Sequence, residues 1–152
     1  MILLSDFFKD RLPELEWFTD ADKQLITLDG YDGADGILKD LRNVAYPVVL
    51  VEDIPDGYLS FEDAFVDNKV CAFWVMATVK TGDETDKRKV MLDCLAKGTQ
   101  IVKLINANSD YGQPCEGFDR KRTPYAQRGP IGNNCYGYEF LLSFVVNKDM
   151  EL

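Results

Sequence analysis

Residues 70–79 read Val-Cys-Ala-Phe-Trp-Val-Met-Ala-Thr-Val, an almost unbroken apolar run rich in aromatic and β-branched side chains. Such a run is short for a helix and well suited to a strand. Alternate side chains of a strand point to opposite faces of its sheet. A strand that is apolar on both faces must therefore sit centrally, covered on both sides or at a subunit contact.

The cover follows directly in the chain. Gly82-Asp83-Glu84-Thr85 forms a turn, and Asp83 or Thr85 can cap a helix over residues 86–106. Met91, Cys94, Leu95, Gly98, Ile101, Val102 and Ile105 share one face at helical spacing. Of these, Met91, Leu95, Ile101, Val102 and Ile105 are expected to form the buried side. Gly98 lies in the same face at a cost of about 1 kcal/mol relative to alanine. Close packing of the helix on a strand would account for it.

Two further strands frame this pair. Residues 46–52 (Tyr-Pro-Val-Val-Leu-Val-Glu) read as buried, with Pro47 at the entry where a missing N–H is tolerated. Residues 136–147 alternate, with Tyr136, Tyr138, Phe140, Leu142, Phe144 and Val146 on one face and Gly137, Glu139, Leu141, Ser143, Val145 and Asn147 on the other. Ile54-Pro55-Asp56-Gly57 reads as a loop. Residues 60–68 stay open between a helical turn and a strand-side excursion. Residues 107–133 are polar and rich in turn formers.

At the N-terminus, Ser5 can cap a short helix through Phe7, Phe8 and Leu12 that Pro13 interrupts. A brief strand is expected over residues 24–28, then an Asp-Gly-rich loop over 29–36 and a short helix over 37–44. The fold class that follows is α+β. A mixed or mostly antiparallel sheet carries one long helix across it, with short helices at the N-terminus. The 152 residues suit a single domain, an acidic leader over 1–35 joined to an α+β core over 36–148.

Charge narrows the partners. Lys plus Arg number 17 against 26 Asp plus Glu, and the net charge of −9 disfavours nucleic acid and anionic membrane. Residues 1–69 hold six basic and sixteen acidic side chains, while residues 70–152 hold eleven basic and ten acidic. A molecule so divided can meet its own copy head to tail, or meet a basic partner with its first half. The first residues lack the basic and apolar blocks of a secretory signal, and no apolar run reaches the roughly 20 residues of a spanning helix. A reduced, cytoplasmic setting is expected.

No catalytic residue, cofactor site or metal site is expected. The chain has no histidine, which removes the commonest general base and the Ser-His-Asp and Cys-His sites. It has no phosphate-binding glycine motif. Asp29, Asp32 and Asp35 recur before glycines, but their order is not that of a calcium loop, so a turn leading into a helix is the simpler reading. Cys71 and Cys94 fall on apolar faces. Cys115 and Cys135 flank the polar segment, where they can pair or ligate metal. One basic, aromatic-interleaved segment remains as an interaction candidate: Arg120, Lys121, Arg122, Tyr125 and Arg128. Docking onto the acidic half of a neighbouring copy suits it better than phosphate contact.

The order of elements resembles a known family. A short helix is followed by the Tyr-Pro-apolar strand of residues 46–52 and the aromatic strand of residues 73–79. An acidic turn, one long helix over 86–106, a polar loop and the closing Tyr136-Gly137-Tyr138-Glu139-Phe140 strand complete the pattern. Over residues 37–147 this is similar to the tail-terminator and tail-completion proteins of long-tailed phages. The resemblance implies a ring, typically hexameric, that caps a tail tube and joins it to the head connector, in the host cytoplasm or the virion. It brings no catalytic residues, and the acidic leader has no counterpart in it. A monomeric acidic inhibitor or immunity-type protein, neutralising a basic partner through residues 1–69, is the alternative.

Overall fold

In the computed structural model, which describes residues 3–28, 44–62 and 64–147, the 70–79 run lies at the centre of a five-stranded sheet. The strands are β1 (Leu25–Leu28), β2 (Val48–Ser60), β3 (Val66–Thr78), β4 (Tyr125–Ile131) and β5 (Cys135–Asn147). Their order is β1-β2-β3-β5-β4, parallel between β1 and β2 and antiparallel elsewhere. Among the described residues three α-helices accompany them: α1 (Leu4–Arg11), α2 (Ala21–Gln24) and α3 (Glu84–Ala107). The α+β architecture is the expected one. The residue 29–36 loop, with Asp29, Asp32 and Asp35, lies outside the described residues, as does the expected 37–44 helix up to residue 43.

α3 begins where its first turn and the preceding turn of the chain bond to each other through two acids. The Asp83 carboxylate accepts the Asp86 N–H at 2.9 Å, and the Asp86 carboxylate in turn accepts the Lys80 N–H at 2.8 Å. The helix meets the sheet through Cys94, Gly98, Ile101 and Ile105, a single stripe of buried positions. A β-carbon on Gly98 would stand 2.1 Å from the Phe140 ring, so the glycine is what lets the helix lie on β5.

That seam is narrower than the seven-residue face read from the sequence. Met91, Leu95 and Val102 are only half-buried along its rim. Leu95→Ala should therefore cost less than about 1.5 kcal/mol in denaturant melts, and Ile101→Ala about 2–5 kcal/mol. Equal losses at the two positions would show the helix seated one residue round from this arrangement.

Both faces of the sheet carry a core. On the helix side, Val49, Val51, Cys71, Phe73, Val75, Phe140, Leu142 and Phe144 pack with α3. Leu4, Phe7, Phe8, Leu12 and Phe18 join them, so the described part of the acidic leader belongs to the same core. On the opposite face, Leu28, Val44, Val48, Leu50, Trp74, Met76 and Cys135 form a second cluster.

Several local expectations are revised. Leu3, not Ser5, occupies the cap position of α1; Ser5 gives its N–H and Oγ to the Asp53 carboxylate at 2.9 and 2.5 Å. Gln24 closes α2 instead of opening β1. Buried, its amide oxygen accepts the Thr19 and Asp20 N–H groups, and its amide nitrogen donates to the Trp17 and Pro47 carbonyls.

The expected loop at Ile54-Pro55-Asp56-Gly57 is strand. β2 bulges between Glu52 and Asp56, absorbing Pro55, and then pairs with β3 as far as Ser60 and Val66. Gly57 serves close approach here: a β-carbon on it would lie 2.0 Å from the Asn68 carbonyl oxygen. Phe61, Glu62, Ala64 and Phe65 belong to the turn of this long hairpin.

Candidate functional site

The segment expected to be a polar loop from 107 to 133 ends in the edge strand β4, and this decides where the basic residues lie. Tyr125 and Arg128 are three apart in an extended strand, so they fall on opposite faces. Tyr125 rests against Tyr138 and Phe140 on the helix side, with ring centroids 5.7 and 6.0 Å apart. Arg128 pairs in register with Gly137 on the other face and donates from Nη2 to Glu139 Oε1 at 2.6 Å. Its Nη1 donates to the carbonyl of Gln127, a backbone group of the edge.

Arg120 is committed within the chain. Its Nη2 donates to Asp110 Oδ1 at 2.6 Å and its Nε to Ser109 Oγ at 2.9 Å, tying the loop to the end of α3. Lys121 and Arg122 are exposed and form no ion pair among the described residues. The five sequence candidates are thus not one patch. Two of them, Lys121 and Arg122, are the exposed cations still available to a partner.

On the Arg128 face, Glu139 joins two strands. It is buried, and its second carboxylate oxygen accepts the Trp74 indole N–H at 2.7 Å. A buried carboxylate is stable only when its lone pairs are met, and this one has a guanidinium and an indole. Nearby Glu52 is less well served. Burial pushes its carboxyl pKa up, and the charges of Glu139 and Asp56 add to the effect.

The folded protein therefore holds the Glu52 proton more tightly than the unfolded chain. The stability this brings is complete below the ordinary value of 4.5 and is lost as pH rises through the raised folded value. Glu52→Gln should stabilise the protein at neutral pH, and the gain should vanish below pH 4.5. Denaturant melts of both chains across that range check it; a gain that persists in acid would point to a steric cause.

The four cysteines are free and buried. Burial pushes the thiol of Cys71 up to about 11 and those of Cys94 and Cys115 up to about 12, while Cys135 is also raised. Thiols so shifted carry almost no thiolate at neutral pH and serve as packing. Cys115 lies in the helix-side core and Cys135 in the cluster on the other face, so the sheet separates the pair that the sequence left open.

Most of the exposed apolar side chains among the described residues gather elsewhere, at the β2–β3 hairpin end of the sheet. Among the described residues, β1 pairs with β2 as far as Glu52, and the remaining eight residues of β2 have β3 as their strand neighbour. Ile54, Tyr58, Leu59 and Phe61 are 76%, 64%, 54% and 68% exposed; Tyr58 shares a face with the uncovered Leu141 and Val145 of β5, and Leu59 by register lies on the other face. These six make up most of the exposed large apolar side chains among the described residues.

By register, Tyr58, Asn68, Val70, Leu141, Ser143 and Val145 all face away from α3. They floor a groove of about 370 Å³ whose rim includes Asp119, Arg122 and Pro124. The rim is held in place by backbone bonds from the Asp119 N–H to the Ser143 carbonyl and from the Leu141 N–H to the Pro124 carbonyl.

Sequence reasoning missed this surface because Pro55 and Gly57 made the strand look like a loop. The usable signal was the density of apolar residues on both sides of them: Ile54, Tyr58, Leu59 and Phe61 are unusual company for a solvated turn. No helix among the described residues is long and apolar enough to cross a membrane. Compared with protein-family models, curated proteins and solved structures, the chain matches none of them.

Proposed function

We propose that this chain is a non-enzymatic assembly subunit whose copies join through the β2–β3 hairpin end of the sheet. The observation that carries the reading is the concentration of exposed apolar side chains at the β2–β3 hairpin end of the sheet, Ile54, Tyr58, Leu59 and Phe61, together with the uncovered Leu141 and Val145 of β5. An apolar patch on an otherwise charged surface marks an interaction site. The resemblance in element order gives the assembly a specific form. It is a ring of the tail-terminator or tail-completion kind, typically hexameric in that family, joining a tail tube to a head connector. The charge division between the two halves of the chain supports a head-to-tail contact, which closes by rotation.

Light scattering at low and high protein concentration tests the reading. A molar mass that rises to a discrete multiple of the monomer supports it. A monomer at both concentrations contradicts it and favours the other reading, in which the acidic half caps a basic protein.

A further inference from the structure

The hairpin end and the groove beside it differ in charge. Between Glu52 and Lys69 the chain carries six acidic residues and one lysine. The groove has apolar walls from Val70, Leu141 and Val145 and the exposed Arg122 at its rim. Its one acid, Asp119, already accepts the Lys121 N–H at 3.0 Å. Apolar walls ending in a guanidinium suit an aromatic side chain followed by a carboxylate.

The hairpin tip presents that sequence. Phe61 and Glu62 are adjacent and exposed, and Phe61 is held against Phe65 with ring centroids 4.6 Å apart. The tip does not fill the groove of its own chain. Pairing of Ser60 with Val66, and of Val66 with Asn147, carries it past the end of the sheet.

We infer that Phe61 and Glu62 of one copy seat in the groove of a second copy, Phe61 against Leu141 and Val145 and Glu62 on Arg122. This inference rests on the self-assembly reading above. The contact is heterologous, tip to groove, so each subunit keeps one tip and one groove for its neighbours. The apolar contact supplies the affinity, and the ion pair sets the register.

Two variants test the contact. Phe61→Ser with Glu62→Lys removes the tip and keeps the groove; Arg122→Glu with Val145→Glu removes the groove and keeps the tip. All four positions are exposed, so both variants should melt close to the parent. Each alone should self-associate at least about 30-fold more weakly than the parent, the scale of one lost aromatic contact. Mixed, they should form a one-to-one heterodimer and nothing larger, because the mixture holds one intact tip and one intact groove. Glu62→Lys combined with Arg122→Glu in a single chain should recover association relative to Arg122→Glu alone. Mixed variants that stay apart, or a groove variant that assembles like the parent, would overturn this contact while leaving self-assembly standing. A parent chain that is monomeric at every concentration overturns both.

Discussion

Replacing Phe140 by alanine should cost about 3–5 kcal/mol of folding stability, the range for a large aromatic lost from a packed interior. The ring is 2% exposed and lies parallel to that of Phe73, with centroids 4.8 Å apart and planes within 5°. Phe73 in turn receives the edge of Phe8, with centroids 5.4 Å apart, so one stack links β5, β3 and α1. The other side of Phe140 occupies the space that Gly98 leaves open on α3. Truncation would therefore leave a cavity bounded by a helix backbone and a sheet, neither of which collapses easily. Denaturant melts measure the loss. A change below about 1 kcal/mol would mean that α3 is not seated on this ring.

Glu139→Ala should also be strongly destabilising, at about 2–4 kcal/mol. The substitution orphans the Trp74 indole N–H, which lies in the interior, and an unmet buried donor costs about 1–3 kcal/mol. It also strips Arg128 of its counter-charge. Breaking a fully buried pair costs about 3–5 kcal/mol, but the Arg128 side chain is 31% exposed and water recovers part of that. Glu139→Gln keeps an acceptor for the indole and should cost only about 1 kcal/mol. If alanine and glutamine prove equally damaging, the indole bond is not what the carboxylate is there to make.

The parts of the fold that the sequence made legible are those where one physical signal acts alone. The 70–79 run had to be central because no other arrangement covers both its faces, and β3 lies between β2 and β5. The alternation of β5 and the helical stripe on α3 each have a single period, and Gly98 marks where the two meet. Illegible segments were those where local and tertiary signals conflict. Pro55 and Gly57 favour a turn by propensity, yet a bulge takes up the proline and a close strand approach requires the glycine. β4 contains Gly129 and Pro130 and pairs on only one side in the sheet, so the apolar pattern that reveals interior strands is missing.

The candidate site was legible only in its charges. Arg122 and Lys121 were within reach of the sequence, but their separation from Arg120, Tyr125 and Arg128 depends on β4 and on Asp110. The apolar half of the surface lay hidden in what read as a loop.

The central claim is that the β2–β3 hairpin end of the sheet joins copies of this chain. Its most direct test compares the molar mass of the parent with that of a Leu59→Ser, Phe61→Ser variant in sedimentation velocity at matched concentration. Both side chains are more than half exposed, so the variant should unfold at the same denaturant concentration as the parent. The parent should sediment as a defined oligomer and the variant as a monomer. A variant that sediments with the parent's mass would contradict the account, because the exposed apolar residues of the hairpin would then play no part in assembly.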